Sequence, residues 1–166
     1  MYSPMSTLYT HSTIITVNSS RDIILDGALL VTGSRIAAVG KTTILSREIS
    51  ADTRIVNLQG KIIIPGLINT HSHLAQSLLR GLAEDLPLHS WLCDAIWPLE
   101  ASYAADDGYV AARLTVAEML KSGTTCFLES MLTFRSGFEN VVRVVGESGI
   151  RACLVGRSPL GQLNIS

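Results

Sequence analysis

The feature that most constrains the fold of this chain is an apolar run that ends in two closely spaced histidines. Residues 62–74 read IIIPGLINTHSHL. Successive side chains of a strand point to opposite faces, so His71 and His73 are expected on the same face. The apolar stretch 62–68 is typical of a strand that is covered on both sides, as in a parallel sheet. Two imidazoles at the end of such a strand can converge on one metal ion.

The surroundings of the two histidines decide how much weight this motif carries, because His-x-His also occurs where no metal binds. Parallel (β/α) barrels place their chemistry at the carboxyl ends of the strands. The motif ends an apolar run, and a long loop and a helical pattern follow it. This context favours a metal site over two unrelated histidines.

Length and composition limit what the chain can build alone. It has 166 residues, of which 47% are hydrophobic, whereas a complete (β/α) barrel needs roughly 250 residues. The mean hydropathy is +0.34. Such a value suits buried parallel strands, or part of a larger protein in which further elements cover the apolar faces.

Charge and cysteine content exclude several function classes. The net charge is −1 and no Lys/Arg cluster occurs, so neither nucleic acid nor an anionic membrane is an expected partner. No apolar run reaches 18 residues, and no basic residue precedes Arg21, which argues against a secretory signal.

Cys93, Cys126 and Cys153 are widely spaced and odd in number, which predicts reduced thiols and a cytoplasmic location. No Cys-x-x-Cys or His-x-Glu occurs, so the zinc deaminases that act on cytidine are set aside.

Residues 1–60 are expected to form a small structural β domain. Residues 1–10 are polar and small, which suggests a loose lead-in. Short strands are expected at residues 13–17, 28–31, 35–40 and 54–58, with a hairpin between the second and the third. No His, Cys or carboxylate cluster occurs here, so no chemistry is assigned to this part.

From residue 61 the pattern changes to alternating strands and helices. Residues 90–97 indicate a short amphipathic helix that Pro98 ends. Asp106 or Asp107 is the expected N-cap of a helix that runs to about Ser122, and Gly123 follows it as a C′ glycine. The predicted inner stripe of this helix consists of Val110, Leu114, Val116, Ala117 and Leu120.

Two further strands are expected, with a helix between them. The strands cover residues 124–128 and 151–155, and the stripe of the helix consists of Phe138, Val141, Val142 and Val145. Each strand follows a helix end and a glycine, first KSGTTCFL and then ESGIRACL. This repeated pattern predicts parallel βαβ order. Residues 157–166 show no strand or helix pattern.

Several motifs together resemble the amidohydrolase superfamily of metal-dependent hydrolases. The segment PGLINTHSH at residues 65–73 fits the signature that ends the first barrel strand of that superfamily. Residues 66–100 resemble the branch of S-adenosylhomocysteine/methylthioadenosine deaminases, guanine deaminases and triazine chlorohydrolases. The matching segments are HLAQSLLRGLAEDLPL at 73–88, WL at 91–92, IWPLE at 96–100 and GTTCF at 123–127.

The resemblance implies an α/β fold in which part of a β-sandwich (residues 1–60) precedes the first strands and helices of a (β/α)8 barrel (residues 61–166). The barrel would be truncated after its third strand. His71 and His73 would be metal ligands, for zinc or another divalent transition metal such as iron. The family's other ligands lie on later strands, as does the aspartate that shuttles the proton. No catalytic residue is therefore assigned, and we expect this chain alone to be inactive.

The resemblance also implies substrate contacts. In adenosine-type members, a glutamate at the position of Glu100 binds the ribose hydroxyls; the alternative is a solvated charge beside a helix. Trp91 would line the substrate pocket, unless it packs within the loop core. Glu129, just past the second strand, would face the same end of the barrel, but a surface charge is the favoured interpretation for it. Cys126 and Cys153 are expected as buried, apolar fillers of their strands.

The implied function is hydrolysis of a carbon–nitrogen bond other than a peptide bond. A metal-activated water would deaminate an aminated purine, a nucleoside or a related N-heterocycle. Guanine deamination and dechlorination are alternatives within the enzyme class. A non-catalytic fragment that acts in binding or assembly is the alternative outside it. The expected partner is a small N-heterocyclic substrate, and the full-length form could be a homo-oligomer.

Overall fold

The described part of the chain has a mixed α/β fold with two sheets. The computed structural model describes residues 5–132 and 137–156. It divides after Pro65 into two units, each with its own sheet. The terminal residues 157–166, for which the sequence predicts no regular pattern, lie outside the described residues. None of the helices described is long and apolar enough to cross a membrane.

The first unit is built on one five-stranded sheet. Its strands are β1 (Ser6–Ile15), β2 (Ile23–Thr32), β3 (Arg35–Lys41), β4 (Arg54–Asn57) and β5 (Ile62–Ile63), and a short helix α1 (Thr42–Leu45) follows β3. β2 pairs antiparallel with β1 and β3. β4 and β5 both pair parallel with β1. The hairpin predicted between the second and third strands is confirmed.

The loose lead-in predicted for residues 1–10 is wrong from Ser6 onwards, because β1 begins there. Alternate side chains of β1 are buried, namely Leu8, Thr10, Ser12 and Ile14. Leu8 is fully buried and packs with Ala28 and Leu45 in the core of this unit. Threonine and tyrosine favour strands when neighbouring strands cover them, and β2 and β4 flank this segment on either side.

The second unit is built on a three-stranded sheet, ordered β6 (Leu67–Ser72), β7 (Thr124–Leu132) and β8 (Arg151–Gly156). Both pairings are parallel, as the βαβ pattern predicts. A 3₁₀ helix (Leu74–Leu79) follows β6. The α-helices are α2 (Leu88–Ser90), α3 (Trp97–Ala101), α4 (Asp107–Lys121) and α5 (Phe138–Ser148), and a π-helical turn (Trp91–Ile96) joins α2 to α3.

The apolar run 62–68 is not one strand covered on both sides, as its sequence suggests. Its first two residues form β5 of the first sheet, and β6 of the second sheet begins only after Pro65. Proline lacks the N–H that a ladder requires, so it separates the two strands. Leu67 is 50% and Ile68 is 68% exposed, because β6 is an edge strand of the described sheet.

Pro98 does not end the helix that contains Trp91. The helical segment continues through the π turn into α3, where Pro98 lies in the first turn. The change of hydrogen-bonding register at the π turn lets the chain accept the proline.

The bounds predicted for α4 agree with the structure, but the predicted inner stripe is largely wrong. Asp106 is at the N-cap position, although its side chain makes no capping hydrogen bond. The buried residues of α4 are Gly108, Ala111, Ala112, Val116 and Met119. Val110, Leu114 and Leu120 are each more than 40% exposed. Small side chains face the core because α4 packs closely on the 3₁₀ helix and on α5.

The core of the second unit lies between its sheet and α4 and α5. Its buried members include Leu74, Val116, Phe127, Val141 and Val144. Of the predicted α5 stripe, Val141 is buried and Phe138 and Val145 pack against the core, whereas Val142 is 37% exposed. Gly123 and Gly149 follow α4 and α5 with φ of 88° and 70°, so both predicted glycine stops are confirmed.

Neither strand cysteine is the buried filler that the sequence suggests. Cys126 on β7 is half-buried, and Cys153 on β8 is exposed. β8 is an edge strand of the described sheet, and this position explains the exposure of Cys153. All three cysteines are free thiols.

Candidate metal site

The two histidines of the motif lie side by side at the carboxyl end of β6. His71 is the last but one residue of the strand, and His73 directly follows the final strand residue, Ser72. Their ring centroids are 4.8 Å apart, and the ring planes meet at 89°. His71 is exposed, whereas the His73 side chain is 28% exposed. The chain thus presents two imidazoles together at the end of a parallel strand, where barrel folds place their chemistry.

Both imidazoles turn the same ring nitrogen towards β7. Nδ1 of His71 lies 3.4 Å from the hydroxyl Oγ of Ser130. Nδ1 of His73 lies 3.7 Å from the carboxylate Oε1 of Glu129, just beyond hydrogen-bond distance. Because β7 faces the Nδ1 atoms, the Nε2 atoms are the ring nitrogens left for another ligand.

Glu129 is fully buried, so the surface charge favoured from the sequence is wrong. It pairs in register with Ser72, the last residue of β6. Its Oε2 accepts a 2.7 Å hydrogen bond from the backbone N–H of Leu74, the first residue of the 3₁₀ helix. The parallel pairing of β6 and β7 therefore places this carboxylate behind the histidine pair.

Burial and the neighbouring His71 ring both lower the pKa of His73 below its usual value of 6.5. Desolvation is the larger cause, because it disfavours the charged imidazolium. A lowered pKa keeps His73 neutral at neutral pH. The neutral imidazole is the form that binds metal ions.

The two imidazoles are suitable ligands for a transition metal, but they are fewer than such a metal requires. Imidazole nitrogen is a preferred ligand of zinc and also binds iron. A catalytic zinc takes three protein ligands and keeps a position for water. In the part of the chain that the structure describes, no group of three His, Cys, Asp or Glu side chains could hold a metal ion. The histidine pair therefore supplies two ligands of a site that needs at least one more.

A cavity of about 500 Å³ opens beside His73. Trp91 lines it, half-buried, so the structure brings this predicted substrate residue and His73 to the same cavity. Arg80 and Glu118 form part of its wall, and two hydrogen bonds of 2.9 and 3.0 Å join their side chains. Further lining residues are Gln76, Ser77, Glu84, Ile96 and Thr115.

Glu100 is 3% exposed, so the alternative of a solvated charge beside a helix is wrong. It lies in α3 and is not among the residues that line the cavity beside His73. Nearby, the hydroxyl of Tyr103 donates a 2.7 Å hydrogen bond to the carbonyl of Ala75. Burial, with smaller contributions from Glu100 and Asp107, raises the pKa of Tyr103 to about 12.

Sequence reasoning found both histidines and considered Glu129, but favoured a surface charge for it, and it missed Ser130, the other β7 residue that faces the pair. A signal for both was present. They follow the apolar run 124–128, the second strand of a parallel sheet, at the end where barrel enzymes carry functional residues. Their alignment with the histidines depends on the register of β6 and β7, which the sequence alone does not define.

Comparison with known proteins gives a consistent picture. The sequence model of the "Amidohydrolase family" matches residues 62–162. The chain is 38% identical over 141 residues to a 5-methylthioadenosine/S-adenosylhomocysteine deaminase of Halothermothrix orenii, covering 85% of this chain and 32% of that protein. It is 42% identical over 130 residues to a 5'-deoxyadenosine deaminase of Methanobrevibacter smithii, covering 78% and 28% respectively.

The chain is also similar in fold to solved structures. A mutant of the atrazine chlorohydrolase TrzN from Arthrobacter aurescens TC1, complexed with zinc and atraton, superposes with a TM-score of 0.78 at 27% identity. The match covers 90% of this chain and 35% of TrzN. The chain thus spans about a third of the length of the relatives that it matches.

Proposed function

This chain belongs to the amidohydrolase family, and we propose that its histidine pair forms part of the metal site of a deaminase. The bond broken would be a carbon–nitrogen bond of an aminated purine nucleoside or a related N-heterocycle. The curated relatives are named for deamination of 5-methylthioadenosine, S-adenosylhomocysteine and 5'-deoxyadenosine. Those names support an adenosine-type substrate.

One observation carries the proposal: the imidazole ring centroids of His71 and His73 lie 4.8 Å apart at the carboxyl end of a parallel strand. They would hold zinc, the metal bound in the structure of the chlorohydrolase relative, or iron. Zinc held by these residues would supply the Lewis acidity that activates a water molecule for attack. In this chain, Trp91 would shape the pocket wall. The family resemblance assigns the ribose hydroxyls to Glu100, although Glu100 does not line the cavity beside His73.

The proposed architecture follows from the same family. Residues 1–60 would contribute to a β-sandwich, and residues 61–166 would supply the first three strands of a (β/α)8 barrel. Because the two imidazoles lack a third protein ligand in the described residues, we propose that these 166 residues alone do not catalyse the reaction. A non-catalytic binding or assembly role of this chain is the competing proposal. Cytoplasmic location and homo-oligomers of a full-length form stay proposals based on the sequence.

A substrate panel tests the function. Protein made from the whole reading frame that encodes these residues is loaded with zinc and assayed for release of ammonia and chloride. The panel contains 5'-deoxyadenosine, S-adenosylhomocysteine, guanine and atrazine. We expect metal-dependent ammonia release from the two adenosine compounds. Release only from guanine, or only of chloride from atrazine, would favour the alternatives within the family, and no turnover at all would favour the non-catalytic role.

The replacement Glu100→Gln tests the nucleoside proposal directly. It keeps the shape of a buried side chain but removes the charge that accepts hydrogen bonds from two hydroxyls. Hydrogen bonds to charged groups contribute about 1.5–3 kcal/mol, so we expect KM for 5'-deoxyadenosine to rise by about 10- to 100-fold. The binding of guanine, which has no ribose, should be unaffected.

Glu139→Gln is the matched control, because Glu139 is an exposed glutamate in the first turn of α5. It should leave the KM for 5'-deoxyadenosine and the binding of guanine unchanged. Thermal unfolding of the two variants identifies any loss of structure. The nucleoside proposal fails if Glu100→Gln is folded and binds ribose-bearing substrates as tightly as the unmodified protein.

A further inference from the structure

The carboxylate of Glu129 has no role in the function proposed so far, although it is fully buried beside the histidine pair. A carboxylate in the interior needs hydrogen-bond donors, since burial without them is costly. The backbone N–H of Leu74 is one donor, at 2.7 Å from Oε2. The other oxygen, Oε1, faces Nδ1 of His73 at 3.7 Å.

Nδ1 of His73 is buried and makes no hydrogen bond within the described part of the chain. A shift of about 0.5 Å would bring it within hydrogen-bond distance of Glu129. An ionised carboxylate only accepts hydrogen bonds, whereas a neutral imidazole donates from one nitrogen and accepts at the other. Contact with Glu129 therefore selects the form of His73 that carries its proton on Nδ1. That form leaves the lone pair of Nε2 available.

His71 provides a contrast within the same site. Its Nδ1 faces the hydroxyl of Ser130 at 3.4 Å. A hydroxyl can donate or accept, so Ser130 is compatible with either tautomer of His71. Of the two β7 residues that face the imidazoles, Glu129 alone can impose a tautomer.

We propose that Glu129 is a positioning residue that holds His73 as the Nδ1–H tautomer and directs Nε2 towards the metal. The metal part of this inference rests on the proposed function. The same carboxylate also holds the N–H of Leu74, so it fixes the backbone directly after His73 together with the ring. Metal-binding histidines commonly donate their second N–H to a carboxylate, which orients the ring and raises its basicity.

The test is the tautomer of each histidine in the metal-free chain, read from ¹⁵N chemical shifts and long-range ¹H–¹⁵N couplings at about pH 8, where imidazole is neutral. We expect His73 to carry its proton on Nδ1. In Glu129→Gln the amide can turn its NH₂ group to Nδ1, so we expect a mixture of tautomers or the Nε2–H form. Glu129→Asp keeps a carboxylate and should retain most of the Nδ1–H form.

Glu139→Gln again serves as the exposed control and should leave the His73 signals unchanged. A zinc titration of the same samples gives a second readout, and we expect affinity to fall by about 10- to 100-fold in Glu129→Gln. The inference is overturned if His73 carries its proton on Nε2 in the unmodified chain, a result that needs no variant to fold. It is also overturned if a folded Glu129→Gln keeps the Nδ1–H form and the same zinc affinity.

Failure of the deaminase proposal can be told apart from failure of this inference. The tautomer is measured without metal or substrate, so it does not depend on which reaction the protein catalyses. A protein with the Nδ1–H form and no ammonia release would retain the positioning role of Glu129 and lose the proposed reaction.

Discussion

Replacing Gly66 with alanine is expected to lower the free energy of unfolding of this chain by about 3 kcal/mol, at the upper end of the cost of overpacking. A Cβ at this position would overlap Oγ1 and Cγ2 of Thr125 and lie 2.8 Å from its Cβ. Thr125 is on β7, the strand that pairs with β6. Either the threonine or the start of β6 must move, and both belong to the scaffold of the histidine pair. Chemical denaturation measures the change.

Gly146→Ala is the matched control for this prediction. Gly146 is exposed within α5, and a Cβ there would meet no atom within 4 Å. Alanine is the better helix former, so this variant should gain about 0.5–1 kcal/mol. Two glycine-to-alanine changes in one unit should thus act in opposite directions. Equal stability of Gly66→Ala and the unmodified chain would contradict the close approach of Gly66 to β7.

The second large effect is expected on catalysis. In protein made from the whole reading frame, His71→Asn and His73→Asn should each lower metal-dependent ammonia release by a factor of about 10³ or more. A metal ion contributes several kcal/mol of transition-state stabilisation, and about 4 kcal/mol corresponds to three orders of magnitude in rate. Loss of one of few ligands should remove most of that contribution. Initial rates at saturating substrate measure the effect.

His89→Asn is the control variant, because His89 is an exposed residue of α2 whose ring lies 3.8 Å from the sulfur of Cys93. It should retain the full rate. Should either motif variant keep a rate within a few-fold of the unmodified protein, the histidine pair would not hold the catalytic metal, whatever the family resemblance.

The sequence predicted those parts of the site that depend on local pattern. His71 and His73 stand two residues apart at the end of an apolar run, and this spacing sufficed to bring their rings together. The helix ends could also be predicted from the sequence, since Gly123 and Gly149 occupy positive-φ positions that favour glycine. The parallel order of β6, β7 and β8 followed from the repeated succession of helix, glycine and strand.

The parts that the sequence could not provide depend on contacts between distant residues. Glu129 and Glu100 are acidic, and acidic side chains are usually exposed; their burial is evident only once the strands and helices pack. The stripe of α4 was misassigned for a related reason. Its large apolar residues, such as Leu114, suggested the inner face, but close packing selected the small ones, such as Ala111 and Ala112.

A similar limit applies to the segments that tertiary pairing stabilises. Ser6 to Thr10 has no apolar run of its own, and it forms a strand because β2 and β4 pair with it. Pro98 looked like a helix stop because sequence rules assume regular α-helical bonding. The π turn before Pro98 departs from that regular bonding, so the rule does not apply there.

The most direct test of the histidine pair is a zinc titration of this chain, followed through the ¹⁵N signals of its four imidazoles. We expect the Nε2 signals of His71 and His73 to shift together on addition of zinc, with weak affinity because a third protein ligand is absent from the described residues. The signals of His11 and His89 should stay in place and serve as internal references. Shifts confined to His11 or His89, or no change at His71 and His73 up to millimolar zinc, would contradict the metal site.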